Sequence, residues 1–155
     1  MRTVYLETTI VSYYVARPSR DVATLARQEM TRDWWDKKRG AYRSLISPAV
    51  LEEAKAGDPD AARRRLNALE GIELLEYDTA IDPLAVRLRR ALGIPRRKAA
   101  DALHLAYAVR YEIEILLTWN CEHLAAAETQ RRLADFAWQE QLWLPVICTP
   151  EQMGA

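Results

Sequence analysis

Five short apolar runs, each set off from the next by a longer stretch with helical spacing, constrain this chain more than any other feature. They are "TVYL" (3–6), "RSLIS" (43–47), "IELLEY" (72–77), "EILLTW" (114–119) and "LPVICT" (144–149). Runs this short and this apolar match parallel strands buried on both faces beneath covering helices. Between them fall "TTIVSYYVAR", "SRDVATLARQEMTRDWWDKKRG", "SPAVLEEAKAG", "DPDAARRRLNALEG", "TAIDPLAVRLRRALG" and "RRKAADALHLAYAVRYE". Ser47 before Pro48, and Asp58 before Pro59, read as helix caps followed by a first-turn proline. Gly57, Gly71 and Gly93 stand where helices should stop. The alternation predicts an α/β fold, a three-layer α/β/α sandwich with a mainly parallel central sheet. With 155 residues and no linker, repeat or low-complexity tract, the chain reads as one domain, 1–155.

Charge and cysteine content narrow the function classes. The 22 basic and 22 acidic side chains cancel, so any nucleic-acid surface has to be a local patch. Cys121 and Cys148 form no disulfide framework, which suits a reducing cytosol. No apolar run approaches a membrane span, and Glu7 interrupts the N-terminal run where a signal peptide would be apolar. The expectation is a cytoplasmic protein with no membrane association. Neither GxGxxG nor GxxxxGK[ST] occurs, and no serine sits in a nucleophile elbow. His104 and His123 have no zinc spacing with the cysteines; His104 is expected to hydrogen-bond inside the core.

Ligands of an open parallel sheet bind beyond the carboxyl ends of its strands. Glu7 directly follows the first strand. Asn120 follows "ILLTW", with Thr118 two residues before it. Glu52 and Glu53 lie about a turn into the helix after "LIS", and Asp101 opens a helix, "AADALHLAYAV", that is apolar almost all round. A carboxylate on a buried helix is costly unless paired, hydrogen-bonded or bound to a cation. Each residue also has an ordinary reading: a dipole partner for Asp101, a turn residue for Asn120, a cap for Glu7, a solvated helix position for one of the two glutamates. Together, three carboxylates and an amide at one sheet end suit a hard cation, Mg²⁺ or Mn²⁺.

The order "VYLETTIVSYY", "LISPAVLEEAKAGD", "KAADALHLAYAV", "EILLTWNCEHLA" resembles the PIN-domain family, which includes VapC-type toxin ribonucleases. The likeness runs from about Thr3 to Ile147. It implies a PIN-like sandwich and a Mg²⁺- or Mn²⁺-dependent ribonuclease controlled by a bound antitoxin. By position, the family's acids fall on Glu7, Glu53, Asp101 and Asn120 as catalytic residues, with Glu7 and Asp101 on the metal. Glu53 is preferred to Glu52 because it shares a helix face with Val50 and Ala54. Thr118 matches a polar position near the last acid. Two residues depart from the family pattern. Glu7 stands for an aspartate and carries its carboxylate about 1.5 Å further out, and Asn120 stands for an acid, removing one charge. These departures support an alternative, a PIN-fold RNA- or protein-binding module with a degenerate metal site.

Two basic clusters are candidates for an RNA substrate. "ARRRL" (Arg63, Arg64, Arg65) has the form of a solvated helix face. "IPRRKAAD" leads into Asp101, so Arg96, Arg97 and Lys98 are expected to grip phosphate oxygens. Arg17 and Arg20 in "RPSRD" rank below both. Trp34 and Trp35 are adjacent in one helix, so at least one is expected to be poorly buried, marking a homodimer interface or an antitoxin groove.

Overall fold

A computed structural model of the chain describes residues 1–154. All five apolar runs form strands: β1 (Arg2–Leu6), β2 (Tyr42–Ile46), β3 (Glu73–Leu74), β4 (Ile115–Leu117) and β5 (Val146–Cys148). They make one sheet in the order β3-β2-β1-β4-β5, every pairing parallel. Val4, Tyr5 and Leu6 of β1 are all fully buried. Successive strand residues point to opposite faces, so helices must cover the sheet on both sides, as in an α/β sandwich. "IELLEY" shrinks to two paired residues because β3 is an edge strand with only β2 beside it.

Seven α-helices occur among the described residues: α1 (Thr8–Val15), α2 (Val22–Asp33), α3 (Pro48–Ala54), α4 (Pro59–Leu69), α5 (Ile81–Leu92), α6 (Ala99–Arg110) and α7 (Ala127–Glu140). Asp58 caps α4 as expected, its carboxylate accepting the Ala61 N–H at 2.9 Å. Ser47 precedes α3, but its hydroxyl does not cap that helix; it bonds the Tyr5 hydroxyl at 2.7 Å instead. Gly93 ends α5 with φ of 69°, a left-handed conformation that a Cβ would disfavour. Helix α7 lacks such signals. It follows Ala126, which offers no capping oxygen, and ends on Gln141, a non-glycine residue at φ 53°.

The tryptophan pair corrects one expectation. Trp34 and Trp35 are 1% and 6% exposed, so neither offers an interface. After α2 the chain makes a π-helical turn over Trp34–Lys38, and this wider turn brings adjacent side chains closer round the axis. Trp35 stacks on Tyr14 at 4.5 Å with the Arg39 guanidinium above it, while Trp34 tilts against Tyr42 of β2. The most exposed tryptophan is Trp138 on α7, at 86%, followed by Trp143.

In the strand order, neighbours of β1 run one way toward β3 and the other way toward β5. The reversal lies between β1 and β4, where such sheets bind ligands. Glu7 leaves β1 at this point, and its backbone N–H donates to the Leu117 carbonyl of β4 at 3.1 Å.

Candidate active site

Glu7, Glu53, Asp101 and Asn120 line one cleft of about 500 Å³ with Thr8, Thr9, Ser12, Arg65, Lys98, Glu122 and His123. Each reaches it from a different segment: the end of β1, the last turn of α3, the first turn of α6 and the loop after β4. Glu52 lies outside, pairing with Lys55 at the surface. Thr118, expected to meet substrate, is fully buried. Its hydroxyl donates to Glu7 Oε1 at 2.8 Å and accepts the Asn120 N–H at 2.9 Å, so it joins two site residues. Of the cluster at 96–98, Lys98 lines the cleft and Arg96 and Arg97 do not.

Glu7 caps α1 with its own carboxylate. Thr9 N–H donates to Oε2 at 3.0 Å, and the Thr9 hydroxyl donates to Oε1 at 2.6 Å. The cap and the Thr118 bond hold a buried charge that would otherwise be costly.

Glu53 is held from two sides. Thr8 Oγ1 donates to its Oε1 at 2.7 Å, and His104 Nε2 makes a short hydrogen bond to the same oxygen. His104 Nδ1 in turn meets the Tyr5 hydroxyl at 2.6 Å, which reaches Ser47. His104 is thus buried and hydrogen-bonded as expected, but its partner is a site carboxylate. Sequence reasoning left His104, Tyr5, Thr8 and Thr9 out of the site. For His104 a signal existed, since it lies three residues after Asp101 and so on the same side of α6.

Burial works against charge on His104, but the Glu53 hydrogen bond and the charges of Glu7, Glu53 and Asp101 outweigh it and raise its pKa. Burial likewise works against the Glu53 carboxylate, and the His104 and Thr8 bonds overcome it, lowering the pKa. The pair's stabilisation is therefore complete between the ordinary values of 4.5 for glutamate and 6.5 for histidine. It fades as pH rises through the raised histidine pKa, or falls through the lowered glutamate pKa. We expect the melting-temperature gap between wild type and His104→Gln to be widest at about pH 5–6. A gap that stays constant up to pH 9 would show that His104 is neutral in the fold.

Asp101 has the opposite balance. Burial raises its pKa, and the nearby Asn120 side chain, the two histidines and Lys98 only partly offset it. Its Oδ2 is shut off from solvent and has no hydrogen-bond partner among the described residues. An orphaned carboxylate oxygen beside two more carboxylates fits a hard divalent cation, whose ligands are oxygens. Ligand atoms of Glu7, Glu53 and His104 all lie within 4.8 Å of one another, a group that Asp101 does not join. His104 is a poor ligand there because both ring nitrogens are engaged. Within that group the carboxylates of Glu7 and Glu53 are left to offer oxygens, and Asp101 faces the same cleft from outside the group.

No helix among the described residues is long and apolar enough to cross a membrane. No curated protein matches the chain. The family model described as "PIN domain" matches residues 4–129, a span that contains Glu7, Glu53, Asp101 and Asn120. That span is most of the sequence, and the chain belongs to the PIN-domain family.

Proposed function

We propose that the chain is a Mg²⁺- or Mn²⁺-dependent endoribonuclease, a single cytoplasmic domain acting as the toxin of a type II toxin–antitoxin pair. The observation that carries this reading is the partnerless, solvent-shut Oδ2 of Asp101 in a cleft shared with Glu7 and Glu53. A divalent ion bound there supplies positive charge to the scissile phosphate and makes water more acidic. Glu7 and Asp101 hold that ion. Glu53, fixed by Thr8 and His104, joins them or orients the attacking water and takes its proton. Asn120, whose Oδ1 accepts the His123 N–H at 2.9 Å, turns its amide N–H toward the Asp101 carboxylate and helps to position it. Lys98 adds a cation at the rim. An apolar surface formed by Trp138, Leu142 and Leu144 supports a protein partner, an antitoxin or a second copy.

Labelled single-stranded RNA should be cut with Mg²⁺ or Mn²⁺ present, survive in EDTA, and be cut again when excess Mn²⁺ is restored. Cleavage that persists in EDTA, or in Asp101→Ala, would defeat the assignment. One observation favours the degenerate binding module as a second reading: Glu7 and Asn120, the two departures from the family pattern, both direct side-chain oxygens at local backbone N–H groups. Calorimetry that detects no heat with millimolar Mn²⁺ would select that reading.

A further inference from the structure

A second cavity, of about 540 Å³, lies between α1 and α4 and shares Ser12 and Arg65 with the acidic cleft. The two are therefore segments of one trough, and their charges differ in sign. The cleft end carries Glu7, Glu53, Asp101 and Glu122 against Arg65 and Lys98. The far end carries Arg17, Arg64 and Arg65 against Asp58 and Asp60. Asp58 is engaged in capping α4. Asp60 is shared by three guanidiniums, those of Arg17 at 3.7 Å, Arg63 at 2.5 Å and Arg64. Four guanidiniums, Arg17, Arg63, Arg64 and Arg65, against the two carboxylates of Asp58 and Asp60 leave a net positive field in a chain whose overall charge is zero.

Arg65 is the hinge between the two ends. Its Nε donates to the Ala54 carbonyl at 3.0 Å and its Nη2 to the Ala56 carbonyl at 2.5 Å. These carbonyls lie at the end of α3, within three residues of Glu53, so the guanidinium is fixed relative to the site. Its Nη1 makes no hydrogen bond among the described residues and remains free for a phosphate.

We infer that this α1–α4 trough is the path of the substrate's single strand as it leaves the cleavage site. Arg65, Arg64 and Arg17 contact successive phosphates there. The inference rests on the ribonuclease reading and assigns substrate contacts that the sequence had placed at Arg96 and Arg97. A single strand fits because the groove is open and its guanidiniums can track one phosphate backbone. Three of the guanidiniums are side chains that the sequence reads as a plain helix face or as a loop.

The test is metal-free binding of a fluorescent single-stranded RNA, read by anisotropy across a salt series. The proteins compared are wild type, Arg17→Gln/Arg64→Gln, and a charge-matched control, Lys37→Gln/Arg131→Gln, altered at exposed positions outside the trough. The first pair should bind roughly tenfold more weakly, and the slope of log affinity against log salt should fall by about 1.4, two contacts at 0.7 each. The control should match wild type. Unchanged affinity and slope in the trough variant would overturn the inference, and so would an equal loss in the control. Displacement of the RNA by an equal charge of poly-glutamate would overturn it too, by marking a surface for an acidic protein segment. Because no metal is present, these outcomes are independent of cleavage. A trough that binds RNA in a protein that never cuts it would sink the nuclease reading and the exit-path role, and keep only the phosphate contacts of Arg17, Arg64 and Arg65.

Discussion

Asp101→Asn should lower metal-dependent RNA cleavage by about 10³-fold, the equivalent of several kcal/mol of lost charge stabilisation. The same substitution should raise the melting temperature by about 2–4 °C, or roughly 1 kcal/mol, as charge removed from a strained functional site often does. Both follow from one oxygen. Asp101 Oδ2 is shut away from water with no partner, so ionising it in the free protein is unfavourable. The pH dependence has a definite sign. A carboxyl whose pKa rises on folding destabilises the fold most above that raised value, and not at all below its unfolded value. The thermal advantage of Asp101→Asn should therefore be full near neutrality and vanish in strong acid. A variant that loses activity and stability together would show Asp101 to be a structural residue.

Trp34→Ala should destabilise the fold by about 3–5 kcal/mol, a large share of the roughly 5–15 kcal/mol that holds a domain of this kind together. The side chain is essentially fully buried in the π-helical turn, against Tyr42 of a central strand. Urea denaturation should show a lower midpoint with an unchanged slope, and the sedimentation coefficient of the native protein should stay the same. A loss below about 1 kcal/mol with altered sedimentation would restore Trp34 to an interface.

These two residues mark where the sequence was legible and where it was not. The strands could be read because burial on both faces leaves no polar alternation, and Val4, Tyr5 and Leu6 display this directly. The four site candidates could be located as a group because a parallel sheet gathers the carboxyl ends of its strands at one edge, whatever the loops do. What reaches a site from the side is harder to see. Nothing near "DALHL" announces that His104 meets Tyr5, 99 residues earlier, and through it Ser47. The trough is hidden for the same reason, since Arg17 and Arg64 become neighbours only when α1 packs beside α4. The tryptophan pair defeated helical periodicity because the helix changes pitch there, and α7 was missed because neither end carries a cap residue.

The parallel topology also fixes when in the life of the chain the acidic cleft can assemble. The opening strand, β1, lies in the middle of the sheet, and one of its two flanking partners is β4, paired through Val4 and Ile115. Asn120 follows Glu7 only after nearly the whole matched domain has been made. At typical synthesis rates that interval is on the order of 10 s. Throughout it β1 lacks one neighbour and the cleft lacks a wall. A chain abandoned before residue 115 carries the first glutamate but not β4 or Asn120, so synthesis itself delays assembly of the acidic cleft.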